Sequence, residues 1–221
     1  MKTLSFTQEY FLCALSKNKG KVSLMDSDAM ACLLAGGIME LLRSEYISIA
    51  EKNKIAAAKP WDGSLPWLKP LYDEIIAMKK PGGVKEVANI YLGSGKAFKG
   101  LIESFGAGLV ELGYADELTK DGLFTNKIKY VPKADAVERI VEKVRSEFLE
   151  AGTMTEEILC LAALLDKGGL IRNYFSKFEA DKFKERLKEV RSSEEYAPVK
   201  EVFDYINEII AVVVIICSIV T

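Results

Sequence analysis

The spacing of apolar residues along the chain predicts a mainly helical protein. Ser5 and Gln8 have the spacing of a capping box, and the apolar run that follows them ends near Gly20. Residues 28–43 are almost continuously apolar and contain two adjacent glycines, which is typical of a helix buried on most of its faces. The same reasoning predicts helices near residues 71–79, 84–92, 96–112, 134–150, 155–165, 180–191 and 195–219.

Strand signals are short and few. Residues 46–49 alternate between apolar and polar, and with residues 54–56 they predict one β-hairpin. Residues 124–131 are typical of the return arm of a second hairpin. A chain of 221 residues is long enough to bury one core. The pattern therefore predicts a mainly α fold, a single compact multi-helix domain over residues 1–221 with one or two small β-hairpins.

The composition removes several kinds of chemistry. The chain has no histidine, which excludes Ser-His-Asp and Cys-His catalysis and histidine-ligated metals. The four cysteines, Cys13, Cys32, Cys160 and Cys217, lie far apart among apolar neighbours. This pattern is typical of buried, free cysteines in a reducing, cytoplasmic compartment. We therefore predict no cofactor and no metal.

Charge and length argue against two classes of partner. The net charge is −2, although residues 1–100 carry 14 basic against 10 acidic side chains. A helix followed by a hairpin also occurs in winged-helix DNA-binding modules, but the chain lacks a basic recognition helix, so we predict no nucleic acid partner. Residues 209–220 are apolar but fall short of the roughly 20 residues that span a bilayer. We expect a buried terminal helix and no transmembrane segment.

A glycine-rich segment precedes one of the predicted helices. Residues 93–96 (GSGK) depart from the phosphate-binding loop pattern at Ile90 and Ala97, so we interpret them as a loop and a helix start. Lys96 and Lys99 are three residues apart and face the same way on the first turns of that helix. Two lysines at a helix N-terminus form an unspecific anion site.

Two aspartates precede an earlier helix. Asp26 and Asp28 cap free amides and favour the positive end of the helix dipole, which explains their presence there. The alternative is a two-carboxylate metal site of an enzyme, in which case Asp28→Asn would release a divalent ion.

Several motifs resemble the Golgi phosphoprotein 3 family. They are residues 4–15 (LSFTQEYFLCAL), residues 33–41 (LLAGGIMEL), residues 47–49 (ISI) and residues 109–113 (LVELG). With the closing segments, the resemblance covers essentially the whole chain. It implies a mainly α-helical single domain without enzymatic activity. Eukaryotic members bind phosphatidylinositol 4-phosphate at the Golgi membrane and hold glycosyltransferases there as adaptors.

The resemblance also implies positions for a headgroup pocket. In the family this pocket uses a tryptophan before the second helix, an arginine within that helix, and two basic residues on a later helix. These positions fall on Met25, Leu34, Lys99 and Ile102, and only Lys99 keeps its character. Each lost arginine–phosphate contact costs about 1.5–3 kcal/mol. We therefore expect the fold to be kept and headgroup binding to be reduced.

The resulting expectation is a non-enzymatic peripheral membrane or adaptor protein. Lys99 and Lys96 are its predicted headgroup-binding residues, and Leu24 and Met25 form a loop that contacts the membrane. The alternative is a cytoplasmic helical interaction or regulatory module without a lipid ligand. The family's hairpin takes part in self-association, which implies a homo-oligomer through the hairpin between Tyr46 and Ala56.

Overall fold

The structure is a computed structural model, and it is mainly α-helical, as the apolar pattern predicts. It describes residues 3–19, 27–50, 54–80, 82–120, 127–150, 154–192, 194, 204, 207–212 and 215.

Nine helices are labelled here in chain order, over the part of the chain just given. They are α1 (Phe6–Lys17), α2 (Ser27–Arg43), α3 (Lys69–Ala77), α4 (Val84–Gly93), α5 (Gly95–Glu111), α6 (Ala134–Val144), α7 (Glu156–Lys167), α8 (Ile171–Tyr174) and α9 (Lys177–Ser192). A 3₁₀ turn at Pro66–Leu68 leads into α3, and a π-helical turn at Arg145–Leu149 follows α6. The strands are β1 (Ile47–Ala50), β2 (Lys54–Ala57), β3 (Ala115–Lys120) and β4 (Lys127–Pro132).

Helix α1 lies at the centre of the fold. The predicted capping box is present: the Gln8 N–H donates to Ser5 Oγ at 3.3 Å, and the Ser5 N–H donates to Gln8 Oε1 at 3.1 Å. Residues 6–15 are all buried, because α1 packs against α2, α5, α6, α7 and β4 at once. Such a helix must satisfy its free N-terminal amides within the protein.

The two hairpins form separate two-stranded antiparallel sheets. In the first, Ile47 pairs with Ala57 and Ile49 with Ile55. Its second strand is covered, since the Ile55 N–H donates to the Gly82 carbonyl at 2.8 Å. In the second hairpin, Tyr130 is buried against α5.

The C-terminal half agrees in part with the predicted helices, since the helix predicted near residues 155–165 is found as α7. Helix α7 is capped by Thr155, whose hydroxyl accepts from the Ile158 N–H at 3.3 Å. The predicted 134–150 helix changes to π-helical geometry at Arg145. Most of the predicted 195–219 helix lies outside the described residues, although Ile209 and Ile210 are buried in the core. None of the described helices is long and apolar enough to span a bilayer.

The predicted burial of the cysteines is confirmed for Cys13, Cys32 and Cys160, and all three are free thiols. Burial raises the pKa of the Cys13 and Cys160 thiols to about 12. Because the thiolate is the reactive form, these two groups are inert at neutral pH. Cys217 lies outside the described residues.

Two glycines of α5 provide a matched test of this packing. An added Cβ at Gly106 would overlap the Tyr130 ring, whereas one at Gly100 would meet nothing within 4 Å. We expect Gly106→Ala to lower the free energy of unfolding by about 1–3 kcal/mol. Gly100→Ala, at an unobstructed helical position, is expected to raise it by about 0.4–1 kcal/mol. Urea denaturation of both variants measures the two effects, and equal stability of the variants would contradict the packing of β4 on α5.

Candidate lipid-headgroup site

The predicted headgroup-binding lysines lie on the first turns of α5. Ser94 is the N-cap, and its Oγ accepts from the Ala97 N–H at 3.2 Å. Phe98 anchors the inner side of this turn and is 1% exposed. Lys96 and Lys99 lie on the solvent side and are both exposed. Helical periodicity thus brings the two ammonium groups to the surface at the positive end of the helix dipole.

The two lysines at this surface differ in whether an acidic side chain lies near the ammonium group. Lys99 Nζ lies 3.6 Å from Glu103 Oε1, one turn further along α5, and the lysine side chain is 69% exposed. An exposed pair of this kind is worth about 0.2–1 kcal/mol, so an anion can displace the glutamate. Lys96 makes no ion pair with any described residue. The pair of lysines can therefore offer a diffuse positive charge to an anion.

The other predicted pocket positions contribute no donors. Leu34 is fully buried within α2. Ile102 is half-buried and packs against the core. Leu24 and Met25, the predicted membrane-contacting loop, lie outside the described residues. Of the residues assigned to the site, the structure places only Lys96 and Lys99 together on an accessible surface.

Among the described residues, no further acidic or thiol side chains join Asp28 at the alternative metal site. Asp28 is exposed in the first turn of α2, and Asp26 lies outside the described residues. Within the ranges that the structure describes, no three acidic or thiol side chains lie close enough together to hold a metal ion.

Helix α5 is held against the 3₁₀ turn that precedes α3. Ser104 Oγ donates to the Pro66 carbonyl at 3.3 Å. The next residue, Trp67, donates its indole N–H to Glu40 Oε2 at 3.1 Å. The 3₁₀ turn therefore joins α5, which carries the two lysines, to a carboxylate on α2.

Glu40 is a buried acid that links elements of the fold, and the sequence analysis does not identify it. It is 5% exposed, and its Oε1 accepts from the Thr7 N–H at 3.0 Å. Burial raises the pKa of the Glu40 carboxyl, while hydrogen bonds from Ser5, Thr7 and Trp67 oppose that rise. The available signal is that Glu40 is the one charged residue in the apolar run of residues 29–42, because an acid is rarely buried without partners.

A second buried carboxylate ties α1 to α6. Lys143 Nζ donates to both carboxylate oxygens of Glu9, at 3.1 and 3.0 Å. Desolvation raises the pKa of the Glu9 carboxyl, and the charge of Lys143 acts against it. Removing Lys143 would leave the Glu9 carboxylate buried and unpaired, which costs about 3–5 kcal/mol.

Comparison with known protein families gives a match over most of the chain. The sequence profile described as Golgi phosphoprotein 3 (GPP34) matches residues 6–209. This span contains the capped first helix, Glu40 and the α5 lysines. No curated protein matches the chain.

The pKa of Glu40 predicts how its contribution to stability changes with pH. Because the folded-state pKa is raised, the folded protein binds the proton more tightly than the unfolded chain. The extra stability that protonated Glu40 gives is fully present below the pKa of this group in the unfolded chain. It is lost as the pH rises through the pKa of this group in the folded protein. Relative to Glu40→Gln, the free energy of unfolding of the wild type should fall as the pH rises. The fall should be about 1.4 kcal/mol for each unit by which the folded and unfolded pKa values of Glu40 differ.

Urea denaturation of wild type and Glu40→Gln from pH 4.5 to pH 8 measures this difference. The Glu9 carboxyl is common to both proteins, so its titration largely cancels. The raised pKa would be contradicted if the free energy of unfolding of the wild type, minus that of Glu40→Gln, increased with pH or did not change.

Proposed function

Because the chain belongs to the Golgi phosphoprotein 3 family, we propose that it is a non-enzymatic adaptor that binds the surface of an anionic membrane. Its headgroup-binding residues are Lys96 and Lys99. The observation that carries the proposal is the position of these lysines, exposed side by side at the N-terminus of α5. A phosphate at this position receives both ammonium charges and the positive end of the helix dipole.

The proposed binding is weaker and more sensitive to salt than binding by a pocket of arginines. A lysine is a point charge without the forked geometry that holds a phosphate through two parallel hydrogen bonds. Leu34 and Ile102 supply no donor in place of a basic side chain. Affinity therefore comes mainly from long-range attraction, which added salt screens over about 8–10 Å. Leu24 and Met25 are proposed to add a small apolar contact with the lipid interface.

The burial of Leu34 favours a second candidate function. A helical interaction module without a lipid ligand needs no basic residue at this position, and an apolar side chain there serves the core. In this case the family fold supports a protein partner instead of a headgroup. Self-association through the hairpin between Tyr46 and Ala56 belongs to this candidate, and it stays a prediction.

Co-sedimentation with vesicles tests the proposal. Three vesicle types are compared: phosphatidylcholine alone, phosphatidylcholine with phosphatidylinositol 4-phosphate, and phosphatidylcholine with phosphatidylserine at matched charge. We expect saturable pelleting with both anionic vesicle types, strongest with phosphatidylinositol 4-phosphate, that falls at physiological salt. Lys99→Glu should weaken it at least threefold, because it replaces the attracting charge with a repelling one beside Glu103.

Lys184→Glu is the matched control. It makes the same charge change at an exposed position of α9, which packs on α8 and the π-helical turn. Equal losses in the two variants would indicate a general charge effect and contradict a site at α5. The absence of pelleting with every vesicle would favour the interaction module.

A further inference from the structure

Three segments of the chain meet at Gly82, in the connection between α3 and α4. The Gly82 carbonyl accepts from the Ile55 N–H of β2 at 2.8 Å. An added Cβ at Gly82 would lie 3.3 Å from Met78 Sδ, at the end of α3, and 2.6 Å from Glu86 Cβ, in the first turn of α4. The residues that neighbour these contacts in sequence are therefore brought together at one region of the surface.

Four lysines lie within two residues of these contacts in sequence, and all four are exposed. We define the lysine patch as Lys54 on β2, Lys79 and Lys80 after α3, and Lys85 in the first turn of α4. None of the four makes an ion pair with a residue in the described part of the chain. Glu86 also lies here, but its Oε2 already accepts from the Gly83 N–H at 2.7 Å. The patch therefore presents an excess of positive charge to the solvent.

An exposed apolar side chain lies beside the lysine patch. Ile76, in the last turn of α3, is 49% exposed, whereas the neighbouring Ile75 is buried. Ile76 precedes Lys79 and Lys80 by three and four residues. Lysines attract anionic headgroups, and an apolar side chain among them enters the boundary between headgroups and acyl chains. This combination of side chains suits the surface of an anionic membrane.

The same side chains favour a membrane over a soluble polyanion. The cations of the patch are all lysines, which are point charges without the forked geometry that arginine offers to a single phosphate or carboxylate. Such charges attract a charged plane without fixing its orientation. An acidic peptide or a nucleic acid would use the same charges but would leave Ile76 in water.

We propose that the lysine patch and Ile76 bind the anionic leaflet of a membrane, without selecting a particular headgroup. This inference rests on the proposed membrane function and adds a second contact to it. Helix α4 has ten residues, so its two ends are about 15 Å apart. The patch lies at one end of α4, and the lysines of α5 follow the other end. One membrane surface can contact both, and the second contact raises the overall affinity by avidity.

Pelleting with vesicles of phosphatidylcholine and phosphatidylserine, without phosphoinositide, tests the patch. The measured quantity is the lipid concentration at which half of the protein is bound at low salt. The double variant Lys79→Glu with Lys80→Glu should raise this concentration about tenfold or more, since each lysine near an anionic surface adds to the attraction. The matched control, Lys184→Glu with Lys188→Glu, makes the same charge change at exposed positions of α9 and should raise it much less.

Ile76→Ser tests the apolar part of the contact. Because the side chain is already half exposed, the substitution should weaken vesicle binding about threefold with little effect on stability. Phe178→Ser is the matched control, since Phe178 is 78% exposed on α9 and lies outside the patch. It should leave vesicle binding unchanged.

Lys99→Glu, measured on the same vesicles, separates this inference from the α5 site. A loss in the Lys79 and Lys80 double variant alone would support the patch and contradict the α5 site. A loss in Lys99→Glu alone would do the reverse. The pair Lys54→Glu with Lys85→Glu should weaken binding as the first pair does, so the test does not depend on the folding of one variant.

Three results would overturn the proposal. The first is an equal loss of binding in the α9 control and in the patch variants. The second is the same vesicle binding by Ile76→Ser as by the wild type. The third is release of the bound protein by poly-glutamate or duplex DNA, added at the same charge concentration as the phosphatidylserine. That release would mean that the patch fits a soluble polyanion better than a membrane.

Discussion

The buried carboxylate of Glu40 joins three parts of the chain that are distant in sequence. It accepts from the first turn of α1 and from the indole of Trp67, while its own backbone belongs to α2. A buried carboxylate is costly unless hydrogen bonds and a favourable dipole replace its hydration. Here the N-terminus of α1 supplies that dipole. Trp67 belongs to the 3₁₀ turn that packs against α5, so this carboxylate links α2 to the helix that carries the two lysines.

Local signals were sufficient to predict most of the elements. The capping box at Ser5, the apolar run of α2 and the first hairpin all have a cause within a few neighbouring residues. The buried contacts are different, since Glu40 lies 33 residues from Thr7 and 27 from Trp67. The sequence shows an isolated acid there, but its partners are fixed only by how the helices pack.

The candidate site, like the fold, is predictable where local sequence spacing determines the geometry. Helical spacing predicts that Lys96 and Lys99 share a face, and both are exposed on α5. The contact between Lys99 and Glu103 follows from the same periodicity but was not part of the expected site. The family model covers residues 6–209. Of the positions that the resemblance assigns to a headgroup pocket, Leu34 is buried and Ile102 is half-buried against the core.

The most direct test of anion binding at α5 is a nuclear magnetic resonance titration of the ¹⁵N-labelled protein. The ligand is water-soluble glycerophosphoinositol 4-phosphate at low salt, with inorganic phosphate as a comparison. The account predicts saturable shifts of the backbone amides from Gly95 to Lys99, larger for the headgroup than for phosphate. Shifts spread over all lysine-bearing surfaces, or none at all, would contradict it.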